Sequence, residues 1–253
     1  MNNTPVVSVF SSIQGEGLYV GKPHLFIRFA GCNIRCRYCD TPEGLTIPKY
    51  GRIETAPFAK TFHKCLNPVK ADSLWHKIKR LTGSFAHYHA IALTGGEPLL
   101  QTTFLKVFLP YLKRLGISVM LETNGTMPEQ LKEVINLIDI VSMDIKIPSD
   151  INKKHDVWGP TEEFLKILSL RNISAYIKIV ITSSTKLGDC QKASGIIAGI
   201  NKNIPVILQP VSPARKGIKK PSWEQTIRTH NMFTKKLADV RIIPQVHRIM
   251  GWK

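Results

Sequence analysis

The sequence is short of cysteine, of acidic residues and of long apolar runs. Its 253 residues hold five cysteines, an odd number with three of them clustered, which argues against a disulfide framework. No apolar run approaches the roughly 18 residues of a membrane-crossing helix. The first residues, MNNTPVVSVFSS, lack a basic segment followed by an apolar one, so no secretory leader is expected. A cytoplasmic location, where thiols stay reduced, is the expectation. Acidic residues are outnumbered 18 to 35, which leaves a formal charge of +17. That balance would suit a phosphate backbone, yet no helix-turn-helix, zinc-finger or RNA-recognition pattern accompanies it. The densest basic runs, Arg215 to Lys220 and Lys235–Lys236, are short. The charge therefore reads as a surface for anionic small molecules or an acidic protein partner, with nucleic acid disfavoured.

What is present is an alternation of short apolar runs and amphipathic stretches, with 43% hydrophobic residues. Residues 24–31, 89–96, 118–125, 139–146, 175–182 and 205–212 are apolar segments bounded by Gly, Pro, Asn or Ser. Buried parallel strands have this pattern. Helices are expected over 71–81, 102–115, 129–137, 161–170, 189–201 and 223–238. Pro110 is expected to kink the second, and Ser222 with Gln225 sits at capping-box spacing before the last. Six strands alternating with helices imply right-handed βαβ units in one α/β domain over residues 1–253. Six units are too few to close an eight-stranded barrel, so a partial (β/α)6 barrel fits, and a doubly wound open sheet is the other topology allowed. Residues 42–70 break the rhythm and read as an irregular insertion, a lid after the first strand.

The cysteines lie in FAGCNIRCRYCDT, directly after the first apolar strand, as Cys32, Cys36 and Cys39. Loops after strands carry the chemistry in parallel α/β folds, and this spacing lets one loop wrap three thiolates around one centre. A structural zinc site wants a fourth ligand, whereas Cys65 and Cys190 stand alone and read as small buried hydrophobes. His63 beside Cys65 keeps a zinc alternative open. A [4Fe–4S] cluster normally takes four thiolates, and three leave one iron free to bind a reactant. Arg35 and Arg37, between the cysteines, can offset the cluster's charge or face solvent.

Polar motifs follow at successive strand ends: Thr94-Gly95-Gly96-Glu97-Pro98, Glu122-Thr123-Asn124-Gly125, Asp144-Ile145-Lys146 and Leu208-Gln209-Pro210-Val211. A Gly-Gly pair lets backbone approach a ligand closely, and a cation such as Lys146 pairs with a carboxylate. Arg28 lies inside the apolar strand FIRFAG, a costly position unless it meets an anion or forms a structural ion pair. Together with the Cys-x3-Cys-x2-Cys loop, these motifs resemble the radical S-adenosylmethionine (SAM) superfamily. Four stretches narrow the resemblance: Ser12-Ile13-Gln14-Gly15-Glu16-Gly17, Cys39-Asp40-Thr41, Leu208-Gln209-Pro210-Val211 and Ile243-Pro244-Gln245-Val246-His247. Their order along nearly the whole chain resembles the 7-carboxy-7-deazaguanine synthase family.

The resemblance implies a lyase of 7-deazapurine (queuosine) biosynthesis that converts 6-carboxy-5,6,7,8-tetrahydropterin to 7-carboxy-7-deazaguanine with loss of ammonia. It implies a reduced cluster that cleaves SAM, a radical that takes the hydrogen at C6 of the pterin, and regeneration of the cofactor. Carried over, it assigns Cys32, Cys36 and Cys39 to the cluster and Thr41 to Mg2+. It assigns Tyr38, Asp40, Gly96, Asp144, Lys146, Gln209, Pro210, Val211 and Ser212 to SAM. It assigns Gln14, Gly15, Glu16, Arg28 and Thr94 to the substrate. A homodimer and a flavodoxin or ferredoxin reductant are the implied partners. Two other readings compete: an activase that installs a glycyl radical on a partner protein, and a non-catalytic zinc module.

Overall fold

The computed structural model describes residues 2–151, 156–212 and 217–252, so Arg215 and Lys216 of the basic run lie outside the described residues. Twelve strands form: β1 (Asn3–Thr4), β2 (Val6–Ile13), β3 (Pro23–Phe29), β4 (Tyr50–Glu54), β5 (Phe62–Leu66), β6 (Val69–Lys70), β7 (Ala90–Gly95), β8 (Ser118–Thr123), β9 (Ile140–Asp144), β10 (Ser174–Ile181), β11 (Val206–Pro210) and β12 (Val240–Ile242). The helices are α1 (Ala71–Thr82), α2 (Thr102–Lys113), α3 (Pro128–Val134), α4 (Trp158–Ser169), α5 (Leu187–Asn201), α6 (Trp223–Thr234) and α7 (Val246–Ile249). All but β1 and β6 join one ten-stranded sheet in the order β12-β11-β10-β9-β8-β7-β3-β2-β4-β5. From β3 through β12 the pairing is parallel, and β2 runs antiparallel to β3. The six expected strands are β3 and β7 to β11, and the sheet is open, as an incomplete barrel requires.

Alternation along these strands divides the molecule into an outer apolar layer and a polar interior. Leu25, Ile27 and Phe29 of β3, Ile91 and Leu93 of β7, Val119 and Leu121 of β8, and Ile177 and Ile179 of β10 face outward into one core with the helices. Burial of each such side chain stabilises by about 1.5–3 kcal/mol. The intervening residues face a cavity: Phe26 and Arg28, Thr94, Glu122, Ser142 and Asp144, Lys178 and Val180, Gln209 and Val211. Below them a smaller apolar cluster of Ala90, Met120, Ile140, Tyr176 and Ile207 is covered by Leu18, Tyr19 and Ile243, which plugs the end of the barrel.

Two local expectations need correction. Residues 42–70 are irregular only in part: within them β4 and β5 form an antiparallel hairpin that joins the sheet through β2, and β6 pairs with β1. Their pattern was obscured because the exposed edge strand, FHKCL, carries only one buried residue. None of residues 42–70 lines the cavity among the described residues, so the segment extends the sheet edge. The second concerns the α6 cap. Ser222 Oγ accepts from the Gln225 amide at 3.0 Å, but the Gln225 side chain donates to the Thr182 and Thr185 carbonyls instead of completing a capping box. The helix containing Pro110 runs on to Lys113.

Candidate active site

The cluster loop begins at Gly31, whose φ of 95° turns the chain out of β3. It is tied on two sides. The Gly31 amide donates to the Gly44 carbonyl at 2.8 Å, and the Arg37 amide to the Asp150 carbonyl at 3.0 Å. Arg35 folds back on the loop, donating to the carbonyls of Cys32 at 2.6 Å and Ile34 at 2.9 Å. The three thiols are half-buried, and Asn124 Nδ2 lies 4.0 Å from Cys32 Sγ. Burial raises the Cys32 thiol and pushes Cys36 up to about 11, so a metal there must displace protons. Cys65 and Cys190 are buried away from this cavity and supply no fourth ligand.

The Gly-Gly pair at the end of β7 serves backbone packing. A Cβ on Gly95 would stand 2.2 Å from the Phe29 carbonyl oxygen, and one on Gly96 1.8 Å from that of Gly31. Next to it Glu97 is fully buried and works in the scaffold. Its carboxylate accepts from Leu99 N at 3.1 Å, Thr123 Oγ1 at 2.8 Å and Asn124 N at 2.8 Å, holding the end of β8 against the cluster loop. Burial still pushes its pKa up to about 7 against those donors.

A chain of charges crosses the cavity. Lys146 Nζ lies 2.7 Å from Asp144 Oδ2 and 5.4 Å from the centre of the Tyr38 ring. Lys178 Nζ lies 3.1 Å from the same Asp144 oxygen and also meets Glu16 Oε2. Burial lowers both lysines' affinity for a proton, but their acidic partners dominate and both pKa values rise. For Glu16, burial would raise the pKa, and Lys178 and Gln245 reverse this and bring it to about 2. Gln245 Nε2 joins Glu16 Oε1 at 2.6 Å to Asp40 Oδ2 at 2.9 Å. Gln14 donates to Glu122 at 2.7 Å, and burial raises the Glu122 carboxyl despite that bond and one from Thr94. On the opposite wall the Arg28 guanidinium lies 5.2 Å from the centre of the Phe10 ring, which stacks on Phe26. Its ion pair with Glu43 is loose, at 3.7 Å, and its Nε has no partner among the described residues.

All the residues assigned from sequence line this one cavity of about 220 Å³ except Pro210 and Ser212, which lie beside it in the chain. Phe10, Phe26, Ser142 and Lys178 carry no sequence assignment, and Ser12, Glu122, Gln245 and His247 stand in the motifs but outside the assigned ligand set; all eight line the cavity. Lys178 in AYIKIVIT is, like Arg28 in FIRFAG, a lone charge within an apolar strand. Among the described residues, four buried polar atoms here lack partners: Arg28 Nε, Tyr38 Oη, Asp144 Oδ1 and Gln209 Oε1. Buried polar groups are rarely left unpaired, so these fit a polar ligand across the cavity. Three soft sulfurs and no fourth fit a cluster with one open iron. Glu16, Asp40 and His247 bring ligand atoms within 4.8 Å of one another, but the Lys178 ammonium already meets Glu16.

A three-thiol loop at the mouth of a parallel partial barrel defines the radical SAM class, and the model of the radical SAM superfamily matches residues 26–183. Among curated proteins, the 7-carboxy-7-deazaguanine synthase of Geobacter sulfurreducens is 44% identical over 96% of this chain and 95% of its own. That of Methanothermobacter thermautotrophicus is 34% identical over 98% and 97%. The chain belongs to the 7-carboxy-7-deazaguanine synthase family of the radical SAM superfamily. The fold is also that of the crystal structure of QueE from Escherichia coli, with a TM-score of 0.61 at 19% identity, covering 97% of this chain and 95% of that one. A domain of pyruvate-formate lyase-activating enzyme from Bacteroides vulgatus shares it over 60% of this chain and 98% of its own, with a TM-score of 0.50 at 17% identity.

Proposed function

We propose that the chain converts 6-carboxy-5,6,7,8-tetrahydropterin to 7-carboxy-7-deazaguanine and ammonia, as a lyase of 7-deazapurine biosynthesis. The observation that carries this reading is that three thiols, a lysine-aspartate pair and an aromatic-arginine wall meet in one cavity. The activase alternative draws only on a fold likeness at 17% identity.

Cys32, Cys36 and Cys39 hold the [4Fe–4S] cluster in this reading. When bound, it supplies the electron that cleaves SAM. Tyr38 and Asp40 flank the adenosyl group, and Gly96, Asp144, Lys146 and Gln209 with Pro210, Val211 and Ser212 hold the rest of the cofactor. The unpaired Tyr38 Oη, Asp144 Oδ1 and Gln209 Oε1 support this side. Gln14, Gly15, Glu16, Arg28 and Thr94 hold the pterin. Arg28, whose guanidinium lies over the Phe10 ring, offers its Nε, unpaired among the described residues, to the carboxylate. Thr41 gives Mg2+ a hard oxygen, and its hydroxyl is turned to Asp40 at 3.1 Å. The protein's work is to bring the C6 hydrogen to the adenosyl carbon and exclude competing reactions.

The partners in this reading are a second copy of the chain and an acidic flavodoxin or ferredoxin. Exposed Arg35 and Arg37 on the cluster loop, with nearby exposed Lys219 and Lys220, favour an acidic donor. Among the described residues no helix is long and apolar enough to cross a membrane.

The test is an anaerobic assay of the reconstituted enzyme with reductant, SAM, Mg2+ and the pterin, read by product mass. The product is expected, and is expected to vanish in Cys36→Ala. Formation of 5′-deoxyadenosine with the pterin intact would keep the radical chemistry and remove the substrate assignment.

A further inference from the structure

Lys178 is the shared member of the cavity's charge chain, and its two acidic partners are not equivalent. Asp144, at the end of β9, is held by Lys146 at 2.7 Å as well as by Lys178 at 3.1 Å. Glu16, in the loop after β2, has Lys178 as its one ion partner among the described residues. Its second oxygen takes a neutral hydrogen bond from Gln245 at 2.6 Å. Both members of the Lys178–Glu16 pair are largely buried, with side-chain exposures of 15% and 19%. Losing one partner of such a pair leaves the other charge unpaired. Removing the Lys178 ammonium therefore strips Glu16 and leaves Asp144 paired.

The next step rests on the proposed function, in which Glu16 faces the pterin and Asp144 the SAM. We propose that Lys178 is a positioning residue for the substrate alone: it pins one oxygen of the Glu16 carboxylate while Gln245 pins the other, so that the remaining lone pairs are presented to a heterocycle edge bearing adjacent N–H donors. An ionised carboxylate has about four lone-pair directions, so two anchors leave acceptor capacity free. The amino-pyrimidinone edge of a pterin carries such donors and can be met by two parallel bonds. The cofactor side is held separately by Lys146. Neither the glycine-rich stretch around Glu16 nor the Asp144-Ile145-Lys146 motif contains Lys178, which enters from the middle of β10.

The experiment uses anaerobically reconstituted enzyme and measures two affinities separately, for SAM and for 6-carboxypterin, the oxidised and unreactive analogue of the substrate. Lys178→Met is expected to weaken 6-carboxypterin by about tenfold to a hundredfold, the usual effect of losing a hydrogen bond to a charged group. SAM affinity is expected to stay within about threefold. Lys178→Arg, which keeps a cation, is expected to recover most of the pterin affinity. Glu16→Gln is expected to lose at least as much, because it also changes the acceptor that meets the pterin, and the Lys178→Met/Glu16→Gln double variant should bind no worse than Glu16→Gln alone, because Lys178 acts through Glu16. That double variant also keeps the test open if the single Met variant folds poorly, since it leaves no unpaired charge at Glu16. Equal weakening of both ligands, or of neither, would overturn the assignment. Failure of the unmodified enzyme to bind 6-carboxypterin while still binding SAM would overturn the substrate reading, and this inference with it.

Discussion

Gly96 packs directly on Gly31: a Cβ on Gly96 would stand 1.8 Å from the Gly31 carbonyl oxygen, closer than any real contact. The Glu97 amide then donates to that same oxygen at 2.8 Å, so the end of β7 and the start of the cluster loop are one backbone unit. Both partners are main chain and neither can rotate away. Gly96→Ala is expected to push the loop off its seat and to lower the iron bound per chain after anaerobic reconstitution. Iron content and sulfide content equal to the unmodified protein would show that the contact is dispensable.

Glu97 receives three donors, and an amide in its place can satisfy only the oxygen side. In Glu97→Gln the new NH2 faces the Asn124 amide across what is now a 2.8 Å carboxylate contact. Leaving a buried donor unpaired costs about 1–3 kcal/mol. Chemical denaturation should register that loss, and an unchanged midpoint would argue against the scaffold role of Glu97.

His24 is wholly buried, and neither ring nitrogen has a hydrogen-bond partner among the described residues. Burial, with the neighbouring His89 charge, holds its pKa down at about 4 from an ordinary 6.5. The folded state prefers the neutral ring. Its contribution is therefore full above pH 6.5 and is lost as pH falls toward 4, by about 3 kcal/mol. His24→Phe should flatten much of that decline in thermal melts across pH 7 to 4. His89, also lowered by burial, leaves a residue of the effect.

Glu16 predicts a second, lower window. Its pKa of about 2 lies below the ordinary 4.5, so its stabilisation is present above pH 4.5 and is lost as pH falls toward 2. Glu16→Gln should remove this more acidic component of the melting profile and leave the His24 component in place.

Arg28 is held by little within the protein. Its pair with Glu43 is 3.7 Å long and partly exposed, worth about 0–1 kcal/mol. Arg28→Met should leave the melting temperature nearly unchanged while weakening 6-carboxypterin about tenfold or more, the value of a charge-assisted contact. A stability loss larger than the binding loss would make Arg28 structural.

Much of the site was legible because its groups recur at the same place in each βα unit. Thr94, Asp144 and Gln209 each stand at or near the end of an apolar run, and the chain's order alone aligns those ends. Lys178 was equally visible as a lone cation in AYIKIVIT, but no strand-end motif surrounds it. Phe10 was missed for another reason: β2 was not expected as a strand, since it pairs antiparallel with β3 and has no βα rhythm. The scaffold role of Glu97 was not legible, because two of its donors, Thr123 and Asn124, come from the end of β8 and no local pattern links them.

By itself the sequence determined the three-thiol loop, the parallel strands and the missing fourth ligand, because local spacing and alternation encode them. Tertiary structure decided which of the polar residues meet. Glu16 and Gln245 are 229 positions apart and share a hydrogen bond of 2.6 Å. Lys178 reaches Glu16 across 162 positions. Those pairings depend on the curvature that carries β10 and the chain's end around to the loop after β2, and curvature comes from the packing of the whole sheet against its helices.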